Sequence, residues 1–187
     1  LDRSAKKHLG SRTWTVGGTD KYPPLVGRSV LLDVAGLHGV DCLPDSYHVT
    51  PDDLKKAARE QDTELRRGDI VLIRTGRMTK WPDPDGYLMN SPGIDLASAR
   101  YLCEETGAMC IGADSIGLEV MPWEQEKAFL PVHSYMFSTA GAQIMEVIWL
   151  EELAREKVYE FAFICAALKL RGATGSPFRP IAVPFMA

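Results

Sequence analysis

A chain of 187 residues has room for one ordinary domain, or a domain with an arm, and for a sizeable core. Its 45% apolar and 25% charged residues are those of a soluble globular protein, and the net charge of −4 arises from acidic and basic residues mixed along the chain. That mixture argues against a nucleic-acid partner, which calls for a basic stripe, and no window approaches the roughly 18 apolar residues of a membrane span.

Residues 1–22 are polar, punctuated by Gly10, Gly17 and Gly18, and lack periodicity. We read residues 1–26 as an arm, or the remnant of a segment that begins upstream, ahead of an α/β domain over 27–187. The first residue is Leu1 rather than Met and no signal peptide follows, so an amino-terminally truncated chain is expected. Residues 28–34 form a β-branched and Leu-rich run, the pattern of a strand buried on both faces. A turn-rich segment over 36–48 leads to Thr50-Pro51-Asp52-Asp53-Leu54. There Thr50 caps a helix, Pro51 takes its first position, and Asp53 closes a capping box at the positive end of the dipole. The helix should reach about Gln61 with Leu54, Ala57 and Ala58 turned inward.

Arg67-Gly68-Asp69 turns the chain into a second buried strand over 70–74, which ends at Thr75-Gly76. Residues 81–93 hold three prolines and read as a long loop at a strand end, a place where function concentrates. Asp95 caps a helix over 96–106 that Gly107 stops; a strand over 108–114 and a loop over 115–130 follow. A short helix over 150–156, a long apolar strand over 158–170, a tight turn at 171–177 and a last strand over 181–185 complete the chain. Strands alternating with helices predict an α/β fold.

Few residues offer chemistry. The four cysteines, Cys42, Cys103, Cys110 and Cys165, lie far apart with no Cys-x-x-Cys pair, so buried free thiols in a reducing, cytoplasmic setting are expected. No Gly-x-Ser-x-Gly elbow exists, and Gly172-Ala173-Thr174-Gly175 lacks the lysine of a phosphate loop. Asp114 either presents a carboxylate to a cleft or caps a turn. His8, His38 and His48 sit in polar segments and should face solvent.

His133 differs: it follows Phe129-Leu130-Pro131-Val132 and precedes a semi-apolar helical stretch. Glu146 lies thirteen positions later in the apolar run 142–149. An ionised carboxylate buried there needs a cation or a donor. Three fates stay open: a satisfied core or rim histidine, an edge-strand carboxylate reaching water, or a metal ion shared by both. A helix after His133 and a strand ending at Glu146 could bring the two to one cleft edge, and such donors suit zinc or manganese. A catalytic site needs about three protein ligands plus water, and the sequence supplies no further cluster.

Taken in order, 30–34, 50–54, 68–76, Pro131-Val132-His133, Glu146 and 171–177 resemble the cyclase family of metal-dependent hydrolases, which includes bacterial kynurenine formamidase and isatin hydrolase. The resemblance runs from about Gly27 to the end. It implies a swivelling β/β/α fold, hydrolysis of an amide-type carbonyl in a small-molecule substrate, a Zn2+ or Mn2+ cofactor and a homo-oligomer. It also implies that His133 and Glu146 are metal ligands. The family's principal His-x-Gly-Thr-His-x-Asp motif and its acid/base histidine are missing from these residues, so they are expected upstream. The alternative is a degenerate, non-catalytic binding or structural relative. Trp81, Tyr87 and Trp123, with Trp149, are candidate walls for an aromatic substrate, against the commoner fate of core or rim packing.

Overall fold

The computed structural model describes residues 17–123 and 129–185. His8, most of the expected arm and part of the expected 115–130 loop lie outside the described residues. The chain divides into a larger unit, residues 28–161 with 184–185, and a smaller unit, residues 17–27 with 162–183.

The larger unit begins within β1 (Leu25–Asp33), whose residues Val30, Leu31 and Leu32 are fully buried. The single turn α1 (Val34–Leu37) follows, with Asp33 accepting from Gly36 N at 2.9 Å. β2 (His48–Val49) leads into α2 (Pro51–Glu60). The capping box is present as predicted: Thr50 Oγ1 accepts from Asp53 N at 3.2 Å, and Asp53 Oδ2 accepts from Thr50 N at 2.9 Å. Leu54, Ala57 and Ala58 face the core. In β3 (Ile70–Arg74) every residue is buried, which explains its unbroken apolar run.

The expected loop over 81–93 contains a short helix instead, α3 (Pro84–Leu88), preceded by a 3-10 turn at Arg77–Lys80. Arg77, 1% exposed, fastens this segment. Its Nε donates to Tyr87 O at 3.1 Å, its Nη1 to Asp45 at 2.6 Å, and its Nη2 to Met89 O. Two of these bonds go to backbone carbonyls of the segment, which side-chain donors can satisfy outside regular secondary structure. β4 (Gly93–Ile94) then pairs with β2 in parallel. Asp95 caps α4 (Leu96–Arg100), accepting from Ser98 N at 2.7 Å; a π-helical turn, Tyr101–Glu105, continues it to Gly107 at φ +73°.

β5 (Cys110–Ala113) is again buried throughout. α5 (Pro131–Tyr135) runs into a π-helical turn, Met136–Ala140, and then the edge strand β6 (Gln143–Met145). α6 (Glu151–Arg155) precedes β7 (Glu160–Cys165), whose approach is fixed by Leu31 N donating to Tyr159 O at 2.8 Å. β6, β5, β3 and β1 lie side by side, all parallel, with Leu31 opposite Leu72, Leu72 opposite Gly112 and Gly112 opposite Met145. Parallel pairing requires crossovers, which the intervening helices provide.

In the smaller unit, residues 162–165 of β7 neighbour β8 (Ile181–Pro184). The expected strand over 158–170 is shorter, β7 ending at Cys165; beyond it Ala167 forms an isolated antiparallel bridge with Phe178. The turn at 171–177 is tied down by Thr19 N donating to Ala173 O at 2.9 Å and Leu168 N to Ser176 Oγ at 2.7 Å. Among the described residues, no helix is long and apolar enough to cross a membrane.

Candidate functional site

The carboxyl ends of the parallel strands carry the polar residues that the core cannot hold. β5 is followed by Asp114 and Ser115, and the chain then presses Leu118 and Val120 against β4: Ile94 N donates to Leu118 O at 3.0 Å and Val120 N to Ile94 O at 3.1 Å. Between them Glu119 is forced inward and is 1% exposed. The segment after β6 is fastened beside the same strand end, with Val147 N donating to Ser115 O at 3.1 Å and Ile148 N to Ala113 O at 3.2 Å.

These supports bring three side chains together. Glu119 Oε1 lies 2.6 Å from His133 Nδ1, and His133 Nε2 lies 3.1 Å from Glu146 Oε1. The other Glu119 oxygen accepts from Val132 N at 3.0 Å. Exposure rises along the row, from 1% for the Glu119 side chain through 20% for His133 to 33% for Glu146. Burial by itself would lower the His133 pKa, but hydrogen bonds to Glu119 and Glu146, and their charges, push it up to about 9. One imidazole thus serves two carboxylates and offsets only one of them when protonated.

The donor set fits two ligands of a divalent ion. Nε2 and Oε1 lie at a separation that two neighbouring ligands with bonds of about 2.0–2.2 Å would have. Among the described residues no group of three or more His, Cys, Asp or Glu is arranged to hold a metal ion.

Glu119 is the residue that sequence reasoning missed. Two signals pointed to it: a glutamate within the apolar stretch Gly117-Leu118-Glu119-Val120, and a helix start at Leu130-Pro131 without a capping side chain. Leu130, at φ +47°, offers no side-chain acceptor, and Glu119 takes that place from thirteen residues before Val132.

Asp114 is wholly buried and caps the Thr75 turn, its Oδ1 accepting from Thr75 N at 2.9 Å and Thr75 Oγ1 at 2.7 Å. Burial pushes its carboxyl up to about 6 against the pull of the Thr75 bonds, and Glu151 adds to the rise. Among the described residues, Asp114 Oδ2 and Ser115 Oγ have no hydrogen-bond partner. Tyr87 packs in the interior and donates to Asp114 O at 3.0 Å. Burial first, then the charges of Asp114 and Glu146, push its phenol up to about 12. Trp81, 54% exposed, stands edge-on to Tyr87 at 5.0 Å, and Trp123 stands edge-on to Phe129 at 5.1 Å. Phe137 approaches the His133 ring edge-on at 6.0 Å; Phe129, Phe137 and Trp149 are all exposed. His38 faces solvent yet meets Asp53 at 3.1 Å and Tyr47 Oη at 3.0 Å, while His48 is half-buried because β2 pairs with β4. The four cysteines are free thiols.

Comparison with known proteins places this geometry in context. Residues 4–120, more than half of the chain, match the family described as "Putative cyclase". The crystal structure of a novel cyclase is 36% identical, with a TM-score of 0.76 over 85% of this chain and 53% of its own. Isatin hydrolase A from Ralstonia solanacearum is 21% identical, with a TM-score of 0.74 over 88% of this chain and 63% of its own. Isatin hydrolase A from Labrenzia aggregata, bound to benzyl benzoate, is 24% identical, with a TM-score of 0.70 over 91% of this chain and 67% of its own. These matches show the α/β fold of cyclase-like proteins. No curated protein matches the chain.

Proposed function

The chain belongs to the cyclase family, and on that premise we propose that it contributes His133 and Glu146 to the metal centre of a hydrolase acting on an amide-type carbonyl. The observation that carries this reading is the 3.1 Å approach of His133 Nε2 to Glu146 Oε1 at a partly exposed edge. The chain spans about half the length of the novel cyclase and 63% of that of the Ralstonia enzyme, so the activity is proposed for the whole protein.

Nitrogen and carboxylate oxygen donors suit zinc or manganese. Such an ion, when bound, supplies a polarised carbonyl and a water of pKa near ~7. His133 would hold it through Nε2 and Glu146, the more exposed of the two, through Oε1. The exposed rings of Trp81, Phe129 and Phe137, with the half-buried ring of Trp123, are proposed to shield the reacting carbonyl from water and to favour an aromatic amide. The fold shared with two isatin hydrolases supports a cyclic amide of the isatin type; an N-formyl arylamide such as N-formylkynurenine is the second substrate class. A homo-oligomer is proposed as well.

One observation favours a non-catalytic binding relative instead: among the described residues no third ligand joins the pair. Metal analysis of the full-length protein beside an isatin and aryl-formamide panel separates the two. Bound zinc or manganese with hydrolysis of either substrate supports the enzyme. A protein without metal and inert toward both substrates would falsify it.

A further inference from the structure

We infer that Glu119 is a positioning residue for His133: its carboxylate holds the imidazole at Nδ1 and so reserves Nε2 for the metal ion of the proposed site. The inference rests on that reading of His133 and extends it to a side chain that touches no metal.

Glu119 has no access to water, so both its oxygens need donors, and both have them: His133 Nδ1 at 2.6 Å and Val132 N at 3.0 Å. The two donors belong to successive residues. One carboxylate therefore fixes the ring plane of His133 relative to the backbone that carries it. α5 cannot do this alone, because its start at Leu130 brings no capping oxygen. Glu146 cannot do it either, since it lies on the opposite ring nitrogen and is one-third exposed. A histidine that ligates through one nitrogen gains from an acceptor on the other, which fixes its orientation and proton position.

The chemistry demands a carboxylate. A glutamine has one acceptor oxygen for two donors. If that oxygen takes Val132 N–H, the amide NH2 faces Nδ1 and the ring proton moves to Nε2, the nitrogen the metal needs. If it takes Nδ1–H, two N–H groups meet at Val132 and the helix start is lost. Aspartate keeps two acceptor oxygens.

The test uses the full-length protein, with zinc affinity read by competition with a chromophoric chelator. The Nδ1–H resonance of His133 is read by 15N–1H spectroscopy of the zinc-loaded protein. Glu119→Gln should weaken zinc binding by about 10–100-fold and remove the protected Nδ1–H signal. Glu119→Asp should keep that signal and recover most of the affinity. A capping role alone predicts a lower melting temperature with both readouts unmoved, and that result overturns the inference. So does weakened zinc binding with the Nδ1–H signal intact. Wild-type protein that binds no zinc, or His133→Ala protein that binds it as tightly as wild type, overturns the metal reading itself. Loss in His133→Ala beside unchanged Glu119→Gln overturns only the positioning role.

Discussion

Replacing Asp114 by asparagine should remove a pH dependence that the folded protein carries in its core. The carboxyl is fully buried, its Oδ1 is held by two Thr75 donors, and its pKa moves from 3.8 to about 6. A carboxyl whose folded pKa exceeds its unfolded value binds its proton more tightly when folded. Its ionisation therefore costs nothing below the unfolded pKa, costs progressively more as pH rises towards the folded one, and reaches its full cost above it. A rise of about two units at roughly 1.4 kcal/mol each gives about 3 kcal/mol. Asparagine keeps the Oδ1 acceptor and never ionises. The unfolding free energy of Asp114→Asn minus that of wild type should thus grow by about 3 kcal/mol between about pH 4 and about pH 8. Titrating groups that do not interact with Asp114 are common to both proteins and cancel. Urea titrations followed by tryptophan fluorescence at several pH values measure the difference directly. A difference constant to within about 0.5 kcal/mol over that range would refute the argument that burial governs this group.

Other sites give expectations of comparable sharpness. Arg77→Met leaves the carbonyls of Tyr87 and Met89 without their donor, and should cost about 2–4 kcal/mol while speeding amide exchange over α3. The exposed partner Asp45 accounts for little of that. In Gly112→Ala the new methyl would stand 2.8 Å from Leu72 Cδ2 and 2.9 Å from Ile148 Cδ1, so a loss of about 1–3 kcal/mol should appear in the melting temperature. Thr50→Ala removes one half of the capping box and should cost about 1 kcal/mol by urea unfolding, with the site at His133 untouched.

Where a local rule decides structure, the sequence was easily read. Thr50-Pro51-Asp52-Asp53 announces α2 because every atom of its cap lies within four residues. β3 and β5 are legible because strands covered on both faces tolerate nothing but apolar or paired side chains. α3 was hidden because five residues hold too little periodicity to register, although Pro84 at a helix start is a fitting signal. Arg77 was hidden because a buried arginine is rare, and its burial follows from carbonyls ten and twelve residues away. The His133–Glu146 pair could be suspected, since the intervening turn and strand return the chain to one edge. Glu119 stands out as a carboxylate in an apolar stretch, but its partners could not be read, because its approach depends on the pairing of residues 118–120 with Ile94, a contact that only the folded chain brings about.

The central claim is that His133 and Glu146 are ligands of one metal ion. Zinc and manganese content of the full-length protein, measured by elemental analysis in wild type, His133→Ala and Glu146→Ala alongside turnover, tests it most directly. The account predicts that each substitution lowers bound metal and hydrolysis together. Unchanged metal stoichiometry and turnover in both variants would contradict it.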